Sequence, residues 1–451
     1  MSPMKKESLD TLFNEFQKYN HIDSALNEKF GVKRGLRNAD GTGVLAGLTQ
    51  ICNVHGYILN EGEKCPVDGE LTYRGINVRD MVESCVAENR FGYEEVSYLL
   101  LFGHLPNQKQ LDFYRQVLSQ VRALPMGFVQ DMILKAPSRD IMNKLGRSIL
   151  ALYSYDEFSQ DEGLEAELKK AIYIIARMPT IMVNSYMAKI GNYDNKSTYF
   201  HPVRPGESVA QSILSTLRLT REYTDEEAHL LDICLMLHAE HGGGNNSTFV
   251  CRAMTSSGTD AYAAYSAAVG SLKGFRHGGA NIRVCQMFEA IKAQVKDWSN
   301  DDQVREALRM VMDKKIGDGS GLIYGMGHAV YTLSDPRAIM LRDNAEKLAK
   351  IKGMEEEFQL LKKIEQLTPE VFAEKKGVTK DICANVDLYS GFVYRMLGLP
   401  EELFTPLFAT ARISGWAAHR IEEYSTCSRI MRPAYKSVVR NKPYIPIEER
   451  M

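Results

Sequence analysis

Apolar positions recur along the chain mostly at helical spacing. Leu111, Tyr114, Leu118 and Val121 step by three and four residues between Pro106 and Pro125, and Leu341, Ala345, Leu348 and Ala349 repeat the step among charged residues. Both patterns predict amphipathic helices. From Ala228 to Leu237 the residues are apolar on nearly every face, as in a helix buried among other helices. Only 15 prolines occur, which suits long helices, because an interior proline costs about 3 kcal/mol. Strand signals are sparse. The clearest pairs Gly56 to Leu59 with Glu70 to Tyr73 through a turn-rich stretch containing Asp68 and Gly69, predicting a small hairpin near residues 56–73 on a mainly α body.

A length of 451 residues exceeds one ordinary core, so two domains, or one large domain with an excursion, are expected. The charged stretch from about Asn300 to Lys380 lies between apolar blocks and is the candidate for a smaller, separately moving domain. No short repeat is present, which disfavours a helical-repeat scaffold. The net charge of −2 gives no overall pull toward nucleic acid or an anionic membrane. No segment approaches the roughly 18 apolar residues of a membrane span, and the N-terminus carries no signal-like apolar run. The eight cysteines are scattered without a Cys-x-x-Cys pair, which points to reduced thiols and a cytoplasmic address.

Candidate chemistry gathers in two loop-rich zones, His238 to Asn246 and Gly317 to Gly327, and around Gly274 to Asn281. His238, His241, His277 and His328 all sit in glycine-rich or polar settings. Glycine lets a ligand approach the backbone and leaves amide N–H groups free for anions, and imidazole exchanges protons near neutral pH. Each histidine could instead be a cap or a core residue. A metal site is disfavoured: His238 and His241 are three apart, but His-Glu-x-x-His is absent and no cysteine or carboxylate completes a ligand set. Gly319 and Gly321 lack the third glycine of a dinucleotide loop, and no Walker lysine follows. Asp387, before Leu-Tyr-Ser-Gly391, reads most simply as a helix N-cap. Arg337, Arg412 and Arg432 read as surface ion-pair partners unless they converge, in which case they would clamp a small polyanion bidentately.

These segments, taken in order, resemble the citrate synthase family. The matching stretches are Leu71 to Gly75, Leu99 to Pro106, Leu237 to His241 with Asn246 to Phe249, Gly274 to Asn281, Gly325 to His328 with Asp335 to Arg337, Asn385 to Gly391, and Ala411-Arg412 with Gly415-Trp416 and Arg432-Pro433. The resemblance spans the chain from about residue 50 onward and implies a large helical domain, 1–278 with 399–451, and a smaller mobile helical domain, 279–398, that closes over coenzyme A. It implies a Claisen-type condensation of acetyl-CoA with oxaloacetate followed by hydrolysis to citrate, with 2-methylcitrate synthase, using propionyl-CoA, as the alternative. By resemblance, Asp387 removes the methyl proton, His277 stabilises the enol and His328 protonates the ketone oxygen. His238, Arg337 and Arg412 hold oxaloacetate, and Arg432 reaches in from the partner of a homodimer. Leu322, Ile323, Gly325, Gly327, Lys380 and Asn385 receive CoA. No metal or further cofactor is implied, since the CoA thioester is itself a substrate. The chain departs from many bacterial members at Ala329, where they carry arginine, and in the three glycines 242 to 244.

Overall fold

The computed structural model describes residues 6–450 except 62, 378–380 and 427–428, so Lys380 and Cys427 lie outside the described residues. The chain forms two compact units, Met1–Leu48 and Thr49–Met451. The first holds the helices Lys6–Tyr19 and Ala25–Lys29 and a short 3-10 turn. In the former, Leu9, Leu12, Phe13 and Phe16 fall on one helical face, and all four are exposed.

The second unit is mostly helical, and among the described residues its one sheet is antiparallel, in the order β1 (Cys52–Asn60), β2 (Glu63–Tyr73), β3 (Ile76–Asn77). The predicted helices are all present. Gln108–Val121 opens with a capping box from Asn107 and Gln110, and Pro336–Ile351 is capped by Asp335. Asp225–His238 is buried almost throughout. Its one buried aspartate, Asp232, accepts the Gly92 amide at 2.6 Å, so an acid inside an apolar helix is satisfied by the start of another. Pro179 and Pro369 lie inside long helices. Packing around Leu164–Tyr193, which buries Ile174, Met178 and Ile181, offsets the missing amide.

The hairpin is longer than its sequence signals and turns elsewhere. β1 and β2 pair from Cys52↔Tyr73 to Asn60↔Glu63, so the chain has already reversed by Glu63 and does not turn at Asp68-Gly69. Asp68 and Gly69 instead lie in a register shift within β2. There the Gly69 amide donates to Ser334 Oγ at 3.0 Å, and the Ser334 hydroxyl donates to Asp68 at 3.0 Å. A Cβ at Gly69 would lie 2.1 Å from the Ser334 carbonyl oxygen. The turn-like dipeptide therefore serves close approach of the sheet to the segment leading into Arg337.

Phe404–Thr426 joins two apolar clusters. Leu407 and Ala411 belong to one, which includes the sheet, the Asp225–His238 helix and the helices between residues 280 and 399. Ile413 and Trp416 belong to the other, built on Ile141–Leu152, Leu164–Tyr193 and Ala261–Leu272. A helix buried on all sides has no solvent face for its polar residues. Arg412, His419 and Arg420 must therefore find partners inside the protein.

Candidate active site

Arg412 is fully buried. Its Nε donates to the His238 carbonyl at 2.6 Å, and neither Nη1 nor Nη2 has a hydrogen-bond partner among the described residues. Leaving both ends of a buried guanidinium unpaired is costly for folding. Arg337 is buried as well, but Asp335 grips its Nε at 3.1 Å and its Nη2 at 2.7 Å. The charges of both arginines act on His238, His241 and Asp387, so these five groups share one region.

The two histidines of the 238–241 turn differ. His238 Nδ1 lies 2.7 Å from the Cys234 carbonyl one helical turn back, which requires an N–H there and leaves Nε2 as an acceptor with no partner among the described residues. Burial, with the two arginine charges adding to it, pulls its pKa down to about 3. His241 is buried, its Nε2 has no partner among the described residues, and its ring is edge-on to His328 at 5.1 Å and to Tyr331 at 5.6 Å. Sequence reasoning noticed His241 but gave it no role. The available signal was its place in the same glycine-rich turn as His238.

His277 and His328 have opposite tautomers set by backbone donors. The Ser247 amide donates to His277 Nε2 at 3.3 Å, so the ring hydrogen sits on Nδ1. Ser247 Oγ lies 3.0 Å from the same nitrogen and accepts from Trp416 Nε1 at 3.2 Å, tying His277 to the Phe404–Thr426 helix. Burial lowers His277 to about 4, so it is neutral at physiological pH. At His328 the amides of Val330 and Tyr331 both donate to Nδ1 at 3.1 Å, placing the hydrogen on Nε2. The Tyr331 ring stacks on it at 4.8 Å.

Asp387 does not cap its helix. Asn385 caps Val386–Met396, its side-chain oxygen accepting the Asp387 amide at 3.0 Å, and Asp387 occupies the first turn. The cap reading fails because asparagine two residues earlier fills the role, which frees the Asp387 carboxylate. Burial raises that carboxyl to about 6, against the opposing pull of Arg337 and Arg412. Asn385 also donates to the Gly327 carbonyl at 2.9 Å, its amide donates to the Gly325 carbonyl at 2.8 Å, and the Gly327 amide donates to Cys383 at 2.7 Å. These bonds zip the 325–327 loop onto the strand-like approach to Asp387. Gly325 has φ +81, and a Cβ there would lie 2.9 Å from Leu388 Cα, so glycine is required twice over. Ile323 is half-buried and Leu322 is 59% exposed on the same loop. Arg432 stands apart, exposed on the segment following the Phe404–Thr426 helix.

The fold and site define a helical enzyme class with a raised carboxylate that feels the charges of a buried arginine pair, a histidine, His277, that feels the charge of Arg412, and a second histidine of fixed tautomer, His328, packed on His241. Residues 38–434 match the family described as citrate synthase, C-terminal domain. The citrate synthase of Synechocystis sp. is 33% identical over 431 residues, covering 94% of this chain and 95% of the relative. That of Deinococcus radiodurans is 34% identical, covering 85% and 93%, and the 2-methylcitrate synthase of Shewanella oneidensis is 30% identical, covering 84% and 92%. The solved ternary complex of Thermoplasma acidophilum citrate synthase with carboxymethyl coenzyme A and oxaloacetate superposes with a TM-score of 0.73 at 27% identity, covering 93% of this chain and 99% of that one. The chain belongs to the citrate synthase family.

Proposed function

We propose that this enzyme condenses acetyl-CoA with oxaloacetate and hydrolyses the resulting citryl thioester to citrate and CoA. The observation that carries this reading is Arg412, a fully buried cation whose two terminal nitrogens have no hydrogen-bond partner among the described residues, beside the second buried arginine, Arg337. Such an arrangement is unfavourable alone and favourable around a small dicarboxylate, to which guanidinium donates bidentately. His241 is the better donor within the turn, because His238 already spends its N–H on Cys234.

The chemistry follows from the tautomers. A thioester α-proton is weakly acidic, so a carboxylate base is effective only where the developing enolate oxygen is stabilised at the same time. Asp387, raised to about 6, takes a methyl proton while His277 Nδ1–H donates to the thioester carbonyl. The resulting nucleophilic carbon attacks the oxaloacetate ketone. The ketone oxygen takes a proton from His328 Nε2, whose Nδ1 is already occupied by two amide donors. Water then cleaves the thioester. These steps draw on the protein's own side chains, the two substrates and water.

The Leu322 to Gly327 loop with Asn385 receives CoA in this reading, and residues 279–398 close over it to exclude water. A homodimer in the cytoplasm, with Arg432 reaching the neighbouring subunit's site, completes the proposal. Release of CoA with each acyl-CoA and oxaloacetate tests it. Acetyl-CoA is expected to give the higher kcat/KM, and one methylene shifts such ratios by about 10–200-fold. A clear preference for propionyl-CoA would move the enzyme to the 2-methylcitrate class, represented among its relatives by the Shewanella protein.

A further inference from the structure

Behind the 238–241 turn lies a buried polar chain that the condensation itself does not use. Glu240, between the two site histidines, and His419, on the Phe404–Thr426 helix, are both fully buried, with His419 Nε2 3.0 Å from Glu240 Oε1. The same carboxylate oxygen accepts the Gly242 amide at 2.5 Å, closing the turn on itself. Arg252 donates to His419 Nδ1 from Nε at 3.0 Å and from Nη2 at 2.7 Å. Arginine nitrogens only donate, so Nδ1 carries no hydrogen and Nε2 does. The direction of the Glu240 bond is therefore set one residue further back. Arg252 is held in turn by Glu423 at 2.7 Å, by Glu422 and by Thr49 Oγ1 at 3.3 Å.

The packing is close on every side. A Cβ at Gly415 would lie 2.1 Å from Glu240 Oε2 and 2.4 Å from the Ala239 carbonyl oxygen, so the helix carrying Arg412 approaches this turn as nearly as a backbone can. Glu240 Oε2 has no hydrogen-bond partner among the described residues. Burial works to raise the Glu240 carboxyl, but its contact with His419 and the Arg412 charge outweigh that and hold it below the usual range. The turn thus carries a fixed anion packed against the Phe404–Thr426 helix.

We propose that Glu240 and His419 are a positioning pair for oxaloacetate: His419, oriented by Arg252, holds the Glu240 carboxylate, and Glu240 holds the turn that sets His238 and His241 beside Arg412. This rests on the reading that the arginine-lined site takes oxaloacetate. Neither residue touches substrate. Their effect is on binding geometry, so it falls on the dicarboxylate and spares the CoA loop, which is anchored separately through Asn385.

The test compares His419→Asn with His419→Gln. Glutamine is long enough to accept from Arg252 and donate to Glu240 together, whereas asparagine is too short to span both. His419→Asn is expected to raise the oxaloacetate KM about tenfold, with the acetyl-CoA KM moved less than about twofold, as for loss of one charge-assisted hydrogen bond. His419→Gln should return to within about threefold of wild type. Glu240→Ala should repeat the asparagine pattern more strongly, with thermal melting recorded for each variant to show that it is folded. An unchanged oxaloacetate KM in His419→Asn overturns the proposal, as does an equal rise in both KM values or no difference between the two His419 variants. Failure of the underlying reading looks different: wild-type protein itself would release no CoA from acetyl-CoA and oxaloacetate.

Discussion

The side chain of Asn385 accepts the amide of Asp387 and so does what the sequence suggests Asp387 does for itself. One asparagine ends the need for an aspartate cap and ties the helix start to Gly327. The Asp387 carboxylate is left without a capping role, and loss of hydration raises its pKa. The carboxylate is available for other work because a neighbour took over the capping duty.

The acid side of the pH profile should report that base. Proton abstraction needs the ionised carboxylate, and burial places its pKa at about 6. With oxaloacetate saturating, turnover at limiting acetyl-CoA should therefore fall as pH drops through about 6, approaching tenfold per unit below it. His277, lowered to about 4, stays neutral over that range and adds no limb of its own. A flat profile between pH 5 and 7 would exclude Asp387 as the base.

Replacing Asp387 with asparagine should separate activity from stability. Loss of a general base lowers turnover by about 10²–10⁴-fold. Because the folded pKa is about 6 against an ordinary 3.8, the ionised form penalises the fold above pH 6 by at most about 3 kcal/mol. The penalty builds up as pH rises from the ordinary value to the raised one. At pH 7.5 the variant should melt no lower than wild type, and higher if the penalty is realised. A lower melting temperature would show that the carboxylate makes a stabilising contact.

Gly325→Ala should weaken acyl-CoA binding selectively. The substitution meets both a positive φ and a contact 2.9 Å from Leu388 Cα, so the 325–327 loop must shift away from the helix that carries Asp387. The acetyl-CoA KM is expected to rise by about tenfold or more, and kcat to fall with it. Oxaloacetate binding, read by calorimetry without acyl-CoA, should be nearly unchanged.

Arg432 offers a test of subunit sharing. If it serves the neighbouring site, Arg432→Ala and Asp387→Ala proteins are each nearly inactive. Unfolding and refolding them together in equal amounts should restore about a quarter of wild-type activity, because half the dimers are mixed and one site in each is intact. No recovery in mixed dimers would place Arg432 outside the partner's site.

The local instructions were legible in the sequence. Apolar patterns over 111–121, 228–237 and 341–349 predict helices, and the structure forms them as Gln108–Val121, Asp225–His238 and Pro336–Ile351, because helical burial is a property of residue order. The glycine-flanked histidines were visible too, since glycine next to imidazole marks close backbone approach. The turn of the hairpin was misplaced because Asp68-Gly69 has turn chemistry, and only the docking of Ser334 shows that its glycine is there for space.

Residue order alone thus determined which segments would be helical and which side chains had suitable chemistry. What it left open was convergence. Arg337 and Arg412 lie 75 positions apart in the chain, and only the packing of their helices brings both charges onto Asp387. The tautomers of His277 and His328 were likewise undecided until the amides of Ser247, Val330 and Tyr331 were in place. Hydrogen-bond direction and desolvation depend on what surrounds a group in space, and that is decided by the tertiary fold.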